Sequence, residues 1–576
     1  MHVPRSLTPW RSHARIVAMR RLTPTLTALC CFALQIPFLR LDFDRHHDGY
    51  MLNPAIAVHD GAKIHSEIAS QYGPLTTWTQ SWFLNLPTSP ALALRIWAAV
   101  LVAVLVFLIA NLGSGVLRQW GMTSSAACAA AGLYFALSPH WMGITPLPWS
   151  SLLAGCLGMI SAHLFALSVQ RGPRHLPAIA SGVFVGLLPF ARVNVGVATC
   201  LMVGTLVILM IVSPRYRPQG IRLGLGMTLG FSLVPLALSL QGSLGDYWQQ
   251  SVVEPLQWSQ RARSSWNTGE NLLRILREQL FLLISLAAFV ILQFRARSLA
   301  IKIFVVPVAC FLVVQAFLGH HTGSSFNSLN SIFDEYPWAR GTNFFLHVCL
   351  ISTLFLLPSA SLSIWRLARR NPPQPKDLVF TYLLLIALGA LVQIFPTWDA
   401  RHIWWGLPAA VAALVWKSHT FVVRRSPVTV VAALGAALLL LSASIATNQH
   451  LSHLRLPHPT ETSSAGMLSS PYIVLPLREE LSFLQSHTDK DTRFIHAGRN
   501  FDLSSLFGSY RGHDKYFVNS KAQSPTKSRL EDRPHILVEY DPGPYLNWEG
   551  LTAFLNGTDY YIAARSKSLV LLKAHT

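Results

Sequence analysis

Charge is what this chain has least of. Only 12% of its 576 residues are Asp, Glu, Lys or Arg, against 51% hydrophobic residues, whereas a soluble domain carries about a quarter charged residues. That excludes an ordinary soluble enzyme and leaves a polytopic membrane protein. Acids are scarcer than bases: 26 Asp and Glu stand against 46 Lys and Arg, a net charge of +20. No Lys/Arg run sits on a polar domain with interleaved aromatics, so the excess does not read as a nucleic-acid groove. The seven cysteines (Cys30, Cys31, Cys128, Cys156, Cys200, Cys310, Cys349) fall in apolar runs without a CxxC pair and read as small core residues, neither disulfides nor metal ligands. The sequence also lacks the internal repeat that marks inverted-repeat carriers and has no long low-complexity tract.

Long apolar runs, by contrast, are abundant. A first span is expected from about Leu22 to Leu41, behind a basic tail (residues 1–21) carrying Arg5, Arg11, Arg15, Arg20 and Arg21. No small-residue cleavage site follows, so the span reads as an anchor. Further spans are expected to begin near Ala91, Thr123, Trp149, Pro177, Asn194, Ile221, Glu278, Leu299, Asn343, Asp377, His402 and Pro427, about thirteen in all.

The charges test this topology. With the tail on the cytoplasmic side, alternate loops should be basic. They are: Arg118; Arg171 and Arg174; Arg215, Arg217 and Arg222; Arg295, Arg297 and Lys302; Arg366, Arg369, Arg370 and Lys376; Lys417, Arg424 and Arg425. The intervening loops hold nearly all the acids outside the C-terminal segment, among them Asp42, Asp44, Asp48, Asp60, Glu67, Asp246, Glu254, Asp334, Glu335 and Asp399. The expectation is a multi-pass protein of the plasma (bacterial inner) membrane with a cytoplasmic N-terminus, residues 22–446 in the bilayer, a first outer loop over 42–90, and chemistry on the outer face.

Residues 447–576 change character. They start polar and then alternate a helical pattern at Leu477–His487 with strand-like RFIHAG, HILVEY, YYIAA and LVLLK and a helix near Trp548–Leu555, which predicts a small extracytoplasmic α/β module.

The first outer loop concentrates the chemistry. HHDGYMLNPAIAVHDGAKIHSEIASQYGPL places carboxylates and imidazoles where lipid meets water, an expensive position usually kept for function. Its apolar residues predict one or two short interfacial helices, interrupted at Pro54 and Gly61. His47, Asp48, Gly49, Pro54, Ala55, Gly61, Glu67, Tyr72, Gly73 and Pro74 resemble the first periplasmic loop of the membrane-embedded GT-C glycosyltransferases, in the group related to bacterial family 39 enzymes and protein mannosyltransferases. PFARVNVG (189–196) resembles that family's Arg-containing turn, and FPTWDARHIWWGLP (395–408) its late outer turn.

The resemblance implies an all-α polytopic fold of the GT-C type that transfers a sugar from a polyprenyl-phosphate donor, with inversion, to an envelope glycan, lipid or protein acceptor. It implies an acidic base in the first loop: Asp48 here, or Asp44, because His47-Asp48 stands where many members carry Asp-Glu. A departing phosphate needs nearby positive charge, for which Arg192, Lys63, Arg401 and His402 are candidates. His47, Glu67, Tyr72 and Asp399 are candidates for acceptor binding or support.

Bland readings stand beside these. No cofactor is required, although Asp42 and Asp44 form a DxD that would hold a divalent cation. His46 and His47 read more readily as hydrogen-bond partners than as ligands. Asp48 would also serve as a helix N-cap, Arg192 would snorkel, and Asp399, Arg401 and His402 would form a bundle-closing ion pair. Trp78, Trp82, Trp141, Trp149, Trp338, Trp404 and Trp405 read mostly as interfacial anchors. Two other functions remain: a transporter or flippase, and an O-antigen ligase or polymerase using the loop with Arg261 and Arg263.

Overall fold

The computed structural model describes residues 8–40, 47–255 and 356–422 with short gaps, a few residues between 346 and 354, and separate pieces of 460–575. The expected spans from Glu278, Leu299 and Pro427, and most of the one from Asn343, lie outside the described residues.

The helices start where the sequence carries start signals. α1 (Thr8–Gln35) runs through the basic tail into the first span. In the first loop lie α2 (His47–His59) and α3 (Pro74–Phe83). α4 (Pro90–Asn111) opens on Ser89, whose hydroxyl accepts from the Leu92 N–H, with Pro90 in its first turn, a favourable start for a helix whose next residues are all apolar or small. α5 (Ser124–Ala136) is capped likewise by Thr123. Then follow α6 (Ser150–Gln170), α7 (His175–Ala191), α8 (Val193–Val212), α9 (Arg217–Leu240) and the short α10 (Leu244–Trp248). After the next described stretch come α11 (Leu357–Ala368), α12 (Pro375–Leu391), α13 (Ala400–Gly406) and α14 (Pro408–Val422). Among the described residues, four stretches are long and apolar enough to cross a membrane: Pro90–Trp120, Ser150–Gln170, Val193–Val212 and Arg217–Leu240. Leu22–Phe38, Ser124–Ala136, Leu176–Ala191 and Pro408–Lys417 are shorter apolar helices.

The connections sort into two ends. At one end Gln80 donates to the Pro148 carbonyl (2.7 Å), Thr76 to the Ala191 carbonyl (3.1 Å) and the Trp404 indole to the Tyr134 carbonyl (2.9 Å). At the other, Gln170 donates to the Val116 carbonyl (2.6 Å), Tyr216 to the Pro373 carbonyl (2.8 Å), and Trp120 stacks on Trp416. The first loop is at the first end, and the turns bearing Arg118, Arg215 and Arg370 are at the second.

Helices without a hydrophobic drive between them associate through close packing and polar contacts. α7 and α9 do so through glycines: a Cβ at Gly186 would stand 2.2 Å from the Met227 carbonyl oxygen, and one at Gly230 2.2 Å from that of Val183. Ser161, Ser181 and Tyr382 tie α6, α7 and α12 by hydroxyl bonds of 2.7–3.1 Å. The outward faces of α8 and α9 keep Leu201, Ile208, Leu225, Leu229 and Leu236 exposed, as a lipid-facing surface requires.

Beyond residue 459, β1 (Thr460–Thr462) pairs antiparallel with β2 (Met467–Ser469), and helix α15 (Pro471–His487) precedes a mixed sheet. Its strands, β3 (Phe494–Ala497), β4 (Tyr510–His513), β5 (His535–Glu539), β6 (Tyr560–Arg565) and β7 (Leu569–Ala574), lie in the order β4-β3-β5-β7-β6. β3 runs parallel to both neighbours, and β7 antiparallel to both of its own. Ile536, Val538, Val570 and Leu572 are buried on one face and Leu537, Leu569, Leu571 and helical Leu484 on the other, so the sheet is covered on both sides. Most of the helix expected near Trp548–Leu555 lies outside the described residues.

Replacing Gly230 by Leu should force α7 and α9 apart and cost about 1–3 kcal/mol, the usual range for overpacking. Leu at Gly204, where nothing lies within 4 Å of a Cβ, should be neutral. Thermal unfolding of the two variants in detergent checks this; equal midpoints would contradict it.

Candidate functional site

Asp48 lies in the first turn of α2, and Arg95 at the start of the second turn of α4. The Arg95 Nε donates to Asp48 Oδ1 at 2.8 Å and its Nη2 donates to Oδ2, a bidentate ion pair. Asp48 is 4% exposed and Arg95 fully buried. Asp48 is thus not an N-cap: α2 already begins at His47, and its carboxylate points across to α4. Nor does Pro54 interrupt the helix, which continues to His59 before Gly61 turns with φ 98°. The backbone bond lost at Pro54 is offset by packing, with Met51, Leu52 and Ala55 all buried.

The three segments that carry the family resemblance converge at this end of the bundle. Arg192 is the single residue between α7 and α8, extended at φ −148°, and 9% exposed. It does not snorkel. Its Nη1 donates to Ser150 Oγ (3.2 Å), and its guanidinium lies 5.7 Å from the centre of the Tyr72 ring, a cation–π contact. Tyr72 meets Trp149 edge-on (5.2 Å) and Tyr50 likewise (5.6 Å); Trp149 stacks on Trp405 (5.9 Å), and Trp405 meets the His402 ring (5.2 Å). First loop, Arg192 turn and late turn therefore share one aromatic wall with a buried cation beside it. Gly73 makes the approach possible, since a Cβ there would lie 1.9 Å from the Phe190 carbonyl oxygen. A small apolar void among α6, α7, α8, α12 and α14 is lined by Gly155, Leu188, Val195, Ile386 and Pro408.

The rest of the first loop is clamped. Gln250, in a π-turn after α10, accepts from the Ser70 N–H (3.1 Å), donates to the His65 carbonyl (2.7 Å) and bonds His65 Nδ1 (3.1 Å). His65 is buried, adopts φ 70° and packs against Tyr247. Burial pushes its imidazole down from the usual range to about 4, the Gln250 hydrogen bond opposing only in part.

The other candidates divide. Lys63 and Glu67 are exposed, and Glu67 accepts from the Lys63 backbone N–H (2.9 Å); neither contributes to the aromatic wall. Arg401 is half-buried in α13 beside His402. Asp42, Asp44 and Asp399 lie outside the described residues, as does the His47 side chain. Among the described residues no group of three or more His, Cys, Asp or Glu gathers as a metal would need. Trp82 and Trp248 are exposed, as interfacial anchors are, but Trp149, Trp404 and Trp405 are buried, which corrects the anchor reading for those three. Their stacking partners, Tyr134 and one another, hold them inside. Sequence reasoning missed Arg95 and Gln250. Arg95 left a readable signal, a lone cation inside an apolar run; Gln250 left none.

No family model and no curated protein matches the chain. Among solved structures it is similar to the Archaeoglobus fulgidus oligosaccharyltransferase, solved in complex with Zn and sulfate, at 11% identity and TM-score 0.46, over 90% of this chain and 68% of that one. It is also similar to ArnT from Cupriavidus metallidurans, bound to undecaprenyl phosphate (11% identity, TM-score 0.40, 98% of each chain) and in the apo state (13%, 0.40, 97% and 98%). At such identities no activity is transferred from these proteins to this one.

The His65 shift has a defined sign. A histidine held neutral contributes stability that is complete above its unfolded value of about 6.5 and is lost as pH falls toward 4, about 3 kcal/mol in all. Hydrogen exchange of residues 61–70, corrected for intrinsic rates, should therefore quicken between pH 6.5 and 4.5. His65→Asn, which tolerates positive φ, should remove the pH dependence; an unchanged profile would contradict the buried-neutral assignment.

Proposed function

We propose that this protein is a membrane glycosyltransferase of the GT-C type that moves one sugar, with inversion, from a polyprenyl-phosphate donor to an acceptor at the outer face. The observation that carries this reading is the convergence of three sequence-separated segments on one rim: the first loop with Asp48, the Arg192 turn and the His402 helix. A lipid-borne donor needs an apolar approach, a cation for its phosphate and flat rings for its sugar. The bilayer supplies the first, and Arg192 and the Tyr72–Trp149–Trp405 wall supply the other two. Basic turns at the opposite end support a cytoplasmic placement there and with it an extracytoplasmic site.

In this reading Asp48 takes the proton of the acceptor hydroxyl as it attacks the anomeric carbon. Arg95 holds both carboxylate oxygens of Asp48, so the guanidinium fixes the orientation of the carboxylate and favours its charged form. Arg192 and His402 face the phosphate as its bond to the sugar breaks. Tyr72 and Glu67 support the loop, and Lys63 and Arg401 are further cations on the same side. The acceptor is an envelope glycan, lipid or protein.

One feature favours a second assignment within the same reaction. The Asp48 carboxylate is so deeply buried that it suits a strut holding α2 to α4, and the base would then be Asp44. The Asp44→Asn and Asp48→Asn variants separate the two.

With radiolabelled polyprenyl-phosphate sugars and purified protein, transfer of a single sugar is expected. En bloc glycan transfer would make the protein a ligase, and movement of substrate without covalent change a carrier. Asp48→Asn should lower turnover about 10²–10⁴-fold with the protein still folded, and Arg192→Gln should chiefly raise KM for the donor. Near-normal turnover in Asp48→Asn with loss in Asp44→Asn would move the base to Asp44; near-normal turnover in both would overturn the proposal. Arg95→Gln and Asp48→Asn should each cost about 3–5 kcal/mol of stability, because each strands a buried ion, so turnover is compared on protein that purifies folded.

A further inference from the structure

The cytoplasmic end carries a feature that the proposed reaction does not use. Two basic turns, 213–217 between α8 and α9 and 369–374 between α11 and α12, are far apart in sequence yet bound together: Tyr216, 3% exposed, donates its hydroxyl to the Pro373 carbonyl at 2.8 Å.

The side chains are arranged for a ligand. Arg215 is exposed, with its guanidinium 5.5 Å from the centre of the Tyr216 ring; Arg369 is exposed and lies 4.5 Å from the Trp365 ring. Arg370, at φ 57°, ends α11 and turns the chain toward Pro373. Lys376 is exposed in the first turn of α12. A single carboxylate, Asp377, faces the same Tyr216. The ring contacts hold the two exposed guanidinium groups near Tyr216 and Trp365, and guanidinium groups suit phosphate oxygens.

The neighbouring surface says where the anion comes from. Leu362 (46% exposed) and Trp365 (51% exposed) stand on the outer side of α11 next to Arg366 and Arg369. Apolar side chains one turn before a cationic cluster match acyl chains beneath a head group, not a soluble ion.

We propose that the joined 213–217 and 369–377 turns form a binding site for the head group of an anionic phospholipid of the inner leaflet. The phosphate sits between Arg215 and Arg369, and the acyl chains lie along Leu362 and Trp365. The site is independent of the transfer reaction.

Native mass spectrometry of the full chain, with phosphatidylglycerol or phosphatidylcholine supplied at equal excess, tests this. Phosphatidylglycerol adducts should survive activation and phosphatidylcholine adducts should not. The Arg215→Gln/Arg369→Gln double variant should lose affinity roughly thirtyfold, since each basic residue near the surface contributes about 1 kcal/mol. The matching double Lys variant should retain most of the binding, which separates lost charge from misfolding, and Arg118→Gln at the same end should change nothing. Equal retention of the two lipids, or an unchanged double variant, would overturn the site. Displacement of the lipid by inorganic phosphate would reassign it to a soluble anion and overturn the lipid reading.

Discussion

The buried pair of Asp48 and Arg95 is the constraint from which the rest of this end of the molecule follows. Taking a carboxylate and a guanidinium out of water costs several kcal/mol per ion, recovered only when each satisfies the other in good geometry. The bidentate contact pairs Nε and Nη2 of Arg95 with the two Asp48 oxygens, and in doing so it fixes the start of α2 against α4. Once α2 is placed, Tyr50 on its first turn faces Tyr72 and Trp149, and the loop that follows must return past α7. A pair worth little for net stability can still define a single arrangement, here the one on which the proposed site is built.

From there the contacts spread outward in a connected way. Gly73 admits the first loop to the end of α7, Arg192 closes on Tyr72 and Ser150, and the Trp149–Trp405 stack brings in α13. Gln250 clamps the far side of the loop to the segment after α9. Five regions separated by as much as about 350 residues of sequence thereby meet at one rim, while the basic turns stay at the other. The same separation gives the protein two ends of different character: one with the Asp48–Arg95 pair and the aromatic wall, and a cationic one at the 213–217 and 369–374 turns.

Much of this was legible in the sequence, and the reasons are physical. Span starts read from Ala91, Thr123, Trp149, Asn194 and Asp377 fall within a few residues of the helix starts at Pro90, Ser124, Ser150, Val193 and Pro375, because apolar runs of bilayer length bounded by Ser, Thr or Pro have few other ways to fold. The strand patterns RFIHAG, HILVEY and LVLLK fall on β3, β5 and β7. What the sequence hid was side-chain direction. Arg192 and Trp149 were readable as boundary residues that would reach for the interface, but whether such a side chain turns out or in depends on partners supplied by distant segments. Pro54 misled for a similar reason, since local breaking propensity yields to burial of the residues around it. The partner of Asp48 lay 47 residues away, and no local pattern announces such a pairing.

A photoreactive polyprenyl-phosphate analogue, irradiated with the purified protein and mapped by peptide mass spectrometry, tests the central claim most directly. The account predicts label on the peptides containing Tyr72, Trp149, Arg192 and His402, competed by unlabelled polyprenyl phosphate. Label confined to the 213–217 and 369–377 turns, with none at that rim, would contradict it.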